Sequence, residues 1–370
     1  MKILLVSNMY PSTQFPSYGV FVKNTEQILL SEGWNVSKVV LTKKTSKWQK
    51  LLSYFLYYIT IIVKALFGQY NIIYAHYAAH NALPLLIVKK LNKNALIYTN
   101  VHGSDVVPEV KSQEKYQPNV RKLLQASTKV ICPSHYYRDL VSAKYGIEKS
   151  KIEVFPSGGV NKELFYPMQD SNQAMRELQL DPDFQYIGFV GRVDVGKGWD
   201  IFLKAISEVK GLGFMEKRRF IFVGKGAQQD KFEQMVDELG LRNEMAYYPL
   251  LPQEKLSKVY NCIDVFCFPT TRKGESLGLV GLEAMACGVP VIGSEIGGLL
   301  DYIEDGKNGF LFAAGDSDAL KDKLIKYFQL DEFEKQNLKQ NAINKASEYE
   351  VEAIKPKLIQ VFKQEMRVSD

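Results

Sequence analysis

The chain has 370 residues, enough for two domains of ordinary size. Its 46% hydrophobic and 24% charged residues exclude a disordered or collagen-like chain, and four cysteines without paired metal-ligand spacing exclude a disulfide-stapled one. The net charge of +6 is unevenly held: residues 1–165 carry 21 Lys and Arg against 9 Asp and Glu, and the remainder 26 against 32. A basic half suits an anionic substrate, an anionic membrane surface or nucleic acid. Only two of its 21 cations are Arg and no nucleic-acid motif accompanies them, which sets nucleic acid aside.

Taken in chain order, the apolar run 3–6 reads as a first strand, because Ser7-Asn8 end it too early for a signal peptide. Further strands are predicted at 36–41, 72–75, 95–100, 129–132 and 152–155, then at 186–191, 220–224, 264–268 and 290–293. These runs are continuously apolar and alternate with helix-length amphipathic segments. That pattern predicts parallel sheets covered on both faces. The turn-rich stretch from Pro156-Ser157-Gly158-Gly159 through Pro167 marks a break, and the alternation restarts after 167–182. The expected plan is two doubly wound, Rossmann-like domains over 1–165 and 166–350, with a closing helix in 351–370. Ligands are expected where strand C-termini face a central cleft.

No run reaches the ~20 apolar residues of a membrane span, and Cys132, Cys262, Cys267 and Cys287 sit in apolar runs, so a reducing, cytoplasmic location is expected. The nearest to a span is 51–67, read first as a buried helix of the first domain. The alternative is a peripheral contact with the inner membrane face. Lys43, Lys44, Lys47 and Lys50 precede it, and Tyr54, Phe55, Tyr57, Tyr58 and Phe67 lie along it.

The strongest motif runs from Gly274-Glu275-Ser276-Leu277-Gly278-Leu279 through Glu283 to Gly288-Val289-Pro290. It reads as a loop, a helix opening near Gly278, and a stop at Gly288. Free amides at that opening suit a phosphate. Glu283, four residues after Leu279, shares its face and suits two vicinal ribose hydroxyls. Both glutamates would also simply favour a helix N-terminal region electrostatically. A second motif, Gly191-Arg192-Val193-Asp194-Val195-Gly196-Lys197-Gly198, follows a strand and offers a guanidinium fork and a compact cation to a diphosphate. It is not a Walker loop, and a solvated basic turn is its bland alternative. In the first half, Asn8-Met9-Tyr10-Pro11 and Tyr18-Gly19-Val20-Phe21 flank the first loop, and His102-Gly103-Ser104-Asp105 ends another strand.

As a set, in this order, these motifs resemble the retaining group 1 glycosyltransferases (glycosyltransferase family four), whose GT-B fold pairs two Rossmann-like domains. Val223-Gly224-Lys225-Gly226 and Pro156-Ser157-Gly158-Gly159-Val160 add to the likeness, and the opening resembles members that build capsule, exopolysaccharide or teichuronic acid. The resemblance implies a UDP- or GDP-sugar donor and a glycan or lipid-linked acceptor, with 1–165 as the acceptor-binding domain, 166–350 as the donor domain, and the helix in 351–370 crossing back to the first. It assigns Arg192 and Lys197 to the diphosphate, Glu283 to the ribose, and Glu275 with the backbone of Ser276, Leu277, Gly278 and Leu279 to the donor sugar. The base is expected near Gly224 and Leu251, and Gly19 against the diphosphate. Tyr10, Tyr18, His102 and Asp105 fall on the acceptor side, His102 near the transferred sugar. Leu277 stands where the family usually has Phe, and Ser157-Gly158 where it has Asn-Gly.

The implied chemistry retains the anomeric configuration and needs no metal or other cofactor, since two fixed cations face the leaving diphosphate. A metal-dependent transferase would need an Asp-x-Asp site, and Asp181-Pro182-Asp183 and Asp316-Ser317-Asp318 read as a turn and a helix cap. A hydrolase elbow at Gly274–Gly278 would need its histidine later in the chain, and all four histidines precede Ser276. A catalytically silent sugar-nucleotide-binding subunit and a sugar-nucleotide epimerase of the same fold remain as alternatives.

Overall fold

The structure is a computed structural model describing residues 1–15, 18–44 and 46–364. It divides into two compact units, one formed by Met1–Gly158 with the chain from Ile354 onward, the other by Gly159–Ala353.

The first unit contains β1 (Lys2–Tyr10), α1 (Val20–Ser31), β2 (Asn35–Thr42), α2 (Lys47–Phe67), β3 (Ile72–His76) and α3 (Ala78–Leu91). It continues with β4 (Ile97–Asn100), α4 (Lys111–Glu114), α5 (Gln117–Ala126), β5 (Lys129–Cys132), α6 (His135–Tyr145) and β6 (Ile152–Val154). All six strands are parallel, in the order β2-β1-β3-β4-β5-β6. Ile3, Leu4, Leu5 and Val6 are all fully buried, as a strand covered by helices on both faces requires.

The second unit begins with α7 (Asn172–Glu177), β7 (Gln185–Val190), α8 (Trp199–Gly211), β8 (Arg218–Val223), α9 (Gln229–Glu238) and β9 (Met245–Tyr248). It continues with α10 (Gln253–Asn261), β10 (Val265–Phe268), α11 (Leu279–Ala286), β11 (Val291–Ser294), β12 (Gly309–Phe312), α12 (Ser317–Gln329) and α13 (Glu332–Ser347). Its strand order is β12-β11-β10-β7-β8-β9, again parallel throughout. The α/β class and doubly wound sheets match the sequence reading. It missed β9 and β12, the two edges of this sheet. Each spans only four residues, and β9 is half-buried along its whole length.

The unit boundary falls seven residues before the expected position 165. Val160 pairs with Glu350 and donates to Tyr349 O at 2.8 Å, and Phe165 is buried against Tyr260 in the second unit. The chain turns just ahead of them, at Ser157, Gly158 and Gly159, with φ of 45°, 91° and 75°. Three successive left-handed residues are tolerated because two are glycine.

The last helix, α14 (Val351–Gln364), belongs to the first unit from Ile354 onward. Phe362 is fully buried there, its ring 5.1 Å from Tyr74 and Tyr98 and 5.7 Å from Trp34. Lys355 and Lys363 reach Glu32 at 3.6 and 3.4 Å. We expect Phe362→Ala to destabilise the first unit by about 3–5 kcal/mol, read as a lowered denaturant midpoint of the Trp34 fluorescence transition.

Candidate active site

In the second unit β10 pairs with β7, so the loops leaving their C-terminal ends lie side by side. Their backbones touch. A Cβ on Gly198, whose φ is 76°, would stand 1.8 Å from Pro269 O, and Thr271 N donates to Gly196 O at 2.9 Å. That approach brings together residues 78 positions apart: Lys197 Nζ lies 2.8 Å from Glu275 Oε2, both side chains largely buried. Thr270 Oγ1, fully buried, sits 3.2 Å from both Glu275 Oε2 and Gly196 O. Burial pushes the Glu275 carboxyl up, but the Lys197 charge and hydrogen bond, with Arg272 and Thr270, outweigh it and hold it below its ordinary range. Arg192 is 64% exposed, its guanidinium 2.6 Å from Asp194 Oδ2.

Gly278 caps α11 in the left-handed region at φ 79° and has no side chain to satisfy the first-turn amides. A Cβ there would meet the Phe268 ring at 2.6 Å. From the other side Gly298 N donates to Glu275 O at 2.9 Å, pinning the segment before the helix. One turn into α11, Glu283 is half-buried, with Tyr260 Oη donating to its Oε2 at 3.4 Å. Desolvation pushes its carboxyl up to about 7.

Residues 170–345 match the family described as glycosyl transferases group 1, and residues 21–159 match glycosyltransferase family 4. The two matches fall one in each unit, the group 1 match over just under half of the chain. The D-inositol 3-phosphate glycosyltransferase of Segniliparus rotundus is 29% identical over 257 residues, 66% of this chain and 55% of the relative. That of Acidothermus cellulolyticus is 33% identical over 174 residues, 45% of this chain and 38% of the relative. The matched stretch thus spans about half or less of these curated relatives. Two solved structures share the fold. Sucrose-phosphate synthase from Thermosynechococcus elongatus has a TM-score of 0.83 at 20% identity, with both chains fully covered. Anabaena HepE in complex with UDP-glucose has a TM-score of 0.77 at 20% identity, covering 98% of this chain and all of HepE. The two sheets are therefore those of the GT-B fold.

In the first unit His102 follows β4 and stacks among aromatic rings, 4.4 Å from Phe21 and 5.2 Å from Tyr77, centroid to centroid. Its Nε2 lies 3.0 Å from Nδ1 of His76, which is fully buried at the end of β3. Burial pushes His102 down to about 3, so it is neutral at physiological pH. Nε2 of His76 has no partner. A buried N–H without an acceptor is costlier than an unused lone pair, so His76 carries its proton on Nδ1 and donates to His102.

The remaining candidates have these surroundings. Asp105 is buried, and its two oxygens accept from the backbone N–H groups of Ala78, His102 and Gly103 at 2.8–3.0 Å, fixing the His102 loop. The Tyr10 hydroxyl is taken up by Glu26 and Lys38. Gly19, at φ 78°, lies against the backbone of β1, where a Cβ would meet Met9 C at 2.7 Å. A Cβ on Gly224 would likewise stand 1.8 Å from Gly191 O. Leu277 is buried in the core with Phe268, Leu299 and Tyr302, so its departure from Phe is a packing matter. Leu251 is half-buried beyond β9. Tyr18 lines a cavity of the first unit. Sequence reasoning missed Thr270, Tyr260, Gly298 and His76. Only His76 carried a signal, a histidine at the end of an apolar strand.

Asp316 caps α12, its Oδ1 accepting from Ala319 N, and Asp181 Oδ1 accepts from Asp183 N within a turn. Among the described residues no group of three or more His, Cys, Asp or Glu is placed to hold one. The four cysteines are free and buried.

The raised Glu283 carboxyl has a stability signature. Between its unfolded value near 4.5 and about 7 the folded state holds a proton that the unfolded chain releases, so stability falls as pH rises through this window. We expect Glu283→Gln to match wild type in Tm at pH 5 and to exceed it at pH 8, by on the order of 2–3 kcal/mol, in thermal melts at the two pH values.

Proposed function

We propose that this chain transfers a sugar from a nucleoside diphosphate sugar, UDP- or GDP-linked, to a hydroxyl of a glycan or lipid-linked acceptor, with retention and without a bound metal. The observation that carries the reading is the Lys197–Glu275 pair, held between adjacent strand-end loops beside a helix that opens on a glycine and presents Glu283 one turn later. The diphosphate is assigned to Arg192, Lys197 and the first amides of α11, the ribose to Glu283, the donor sugar to Glu275 and the backbone of 276–279. The base lies toward Gly224 and Leu251. In the first unit His102 and Tyr18 serve the acceptor side, with Asp105 holding the His102 loop.

On this reading the bond from the anomeric carbon to the diphosphate oxygen breaks through an oxocarbenium-like state, and negative charge grows on the phosphate. Fixed donors aimed at such charge are each worth about 3–4 kcal/mol. The acceptor oxygen attacks from the face of departure and its proton passes to the leaving phosphate oxygen. No protein nucleophile is required. His102, held neutral, orients hydroxyls and adds no charge to the developing cation.

Two features bear on the acceptor. The curated relatives are named for D-inositol 3-phosphate, which supports a small phosphorylated polyol as a second reading. The cell-surface polysaccharide reading, with a lipid-linked acceptor at the inner membrane face, rests on α2. The sequence favoured a buried helix there. Instead only Tyr57, Ile61 and Ala65 are buried, and Trp48, Leu51, Leu52, Phe55, Leu56 and Ile59 are 44–82% exposed. By length and composition α2 is long and apolar enough to cross a bilayer. Its buried stripe packs into the core of the first unit, and that ties it to the domain surface as an interfacial helix.

Titrating UDP and GDP with EDTA present tests the donor site. One of the two is expected to bind wild type and to lose about 10–100-fold in Glu283→Ala, and Lys197→Ala to lower kcat by about 10²–10³. Conversion of the donor sugar to its epimer without an acceptor, as distinct from hydrolysis, would identify an epimerase, and binding without turnover a silent subunit. Incubation with either a lipid-linked glycan or inositol 3-phosphate, with the product's anomeric proton read by NMR, separates the two acceptor readings and tests retention.

For the membrane half, the protein is expected to float with anionic vesicles at low salt and to sink at high salt. A Trp48→Ser/Phe55→Ser variant is expected to sink under both conditions.

A further inference from the structure

Between Glu32 and Asp105 the chain carries nine lysines and no Asp or Glu. The fold gathers part of this charge at one place. Lys43 and Lys44, just past β2, and Lys50, in the first turn of α2, line a cavity of about 330 Å³ with Tyr18, Tyr54 and His80. No carboxylate is among its lining residues, and among the described residues none of the three lysines forms an ion pair. The Tyr54 hydroxyl accepts from Asn8 Nδ2 at 3.5 Å, which leaves its own proton to donate. Asn8 also lines the cavity, and its Oδ1 is buried without a partner. His80 is kept neutral by burial and by the charges of Lys50 and Lys115.

A second, shallower cavity of about 410 Å³ shares Lys50, Tyr54 and His80 with the first and adds Leu51 and Tyr58 of α2. Leu51 belongs to the exposed apolar face of that helix. The cationic pocket and the apolar face are therefore continuous. A small free anion would satisfy the lysines and leave the face wet. A neutral lipid would cover the face and leave three lysines unanswered.

We infer that these joined cavities bind the head of an anionic amphiphile, with a phosphate monoester or diphosphate at Lys43, Lys44 and Lys50 and the hydrocarbon chain along the exposed face of α2. Resting on the transferase reading, this amphiphile is the lipid-linked acceptor. The tyrosine donors and the unsatisfied Asn8 oxygen suit hydroxyls joined to the phosphate.

The test is calorimetric titration of the full chain with dodecyl phosphate, inorganic phosphate and dodecyl maltoside, each below its micelle concentration. Dodecyl phosphate is expected to bind at least tenfold more tightly than either of the others. The exposed-site variant Lys43→Ala/Lys44→Ala should lose at least tenfold for dodecyl phosphate while keeping wild-type thermal unfolding and UDP binding. Leu52→Ser/Phe55→Ser should erase the advantage over inorganic phosphate. Equal binding of dodecyl phosphate and dodecyl maltoside, equal binding of dodecyl phosphate and inorganic phosphate, or an unaffected lysine variant would each overturn the inference. A wild type that binds dodecyl phosphate but neither UDP nor GDP would sink the transferase reading and leave the amphiphile site standing.

Discussion

The donor-side constellation depends on one backbone contact. Gly198 and Pro269 approach so closely that no Cβ fits between them, and two loops from adjacent parallel strands become one surface. Everything charged follows from that. Lys197 and Glu275 meet only because their loops are stitched, and Thr270 is buried at the junction with its hydroxyl set between a carbonyl and the carboxylate. A largely buried ion pair is a poor source of net stability, since desolvation offsets its attraction. Its value is geometric: it holds a cation and a carboxylate in fixed positions beside the opening of α11.

Glu283 stands in contrast a few ångströms along the chain. Glu275 is held ionised by a cation, whereas Glu283 has only a long hydrogen bond from Tyr260 and sits near the middle of its titration at neutral pH. A carboxylate left half-satisfied in a buried place works against folding, and such groups concentrate where a ligand completes the set. The first unit shows the same economy in its histidine pair. Asp105 clamps three backbone amides, the loop presents His102 among aromatic rings, and His76 sets its tautomer from below.

The exposed face of α2 is the feature least explained by folding alone. Its Tyr57–Ile61–Ala65 stripe is buried in the first unit, with Tyr54, Tyr58, Ile62 and Leu66 packed beside it, yet the opposite face is apolar as well. A surface helix of a freely soluble domain would carry charge there. The lysines gathered at its N-terminal end mark where that face meets polar chemistry.

The sequence by itself determined the two parallel α/β units, because continuous apolar runs of strand length have few other ways to be covered. Ten of the twelve strands, the break near Gly158 and the loop–helix at Gly278 were legible in local pattern and turn chemistry. Tertiary structure alone decided what those patterns could not contain. Burial of one face of α2 and exposure of the other depends on which neighbours cover it, and an apolar helix looks alike in either case. The backbone that packs against Gly19 and Gly224 was likewise not legible, since a glycine's spacing does not say what approaches it. The roles of Thr270, Tyr260 and His76 arise from contacts with side chains and backbone on other elements, which the fold brings together and sequence proximity does not.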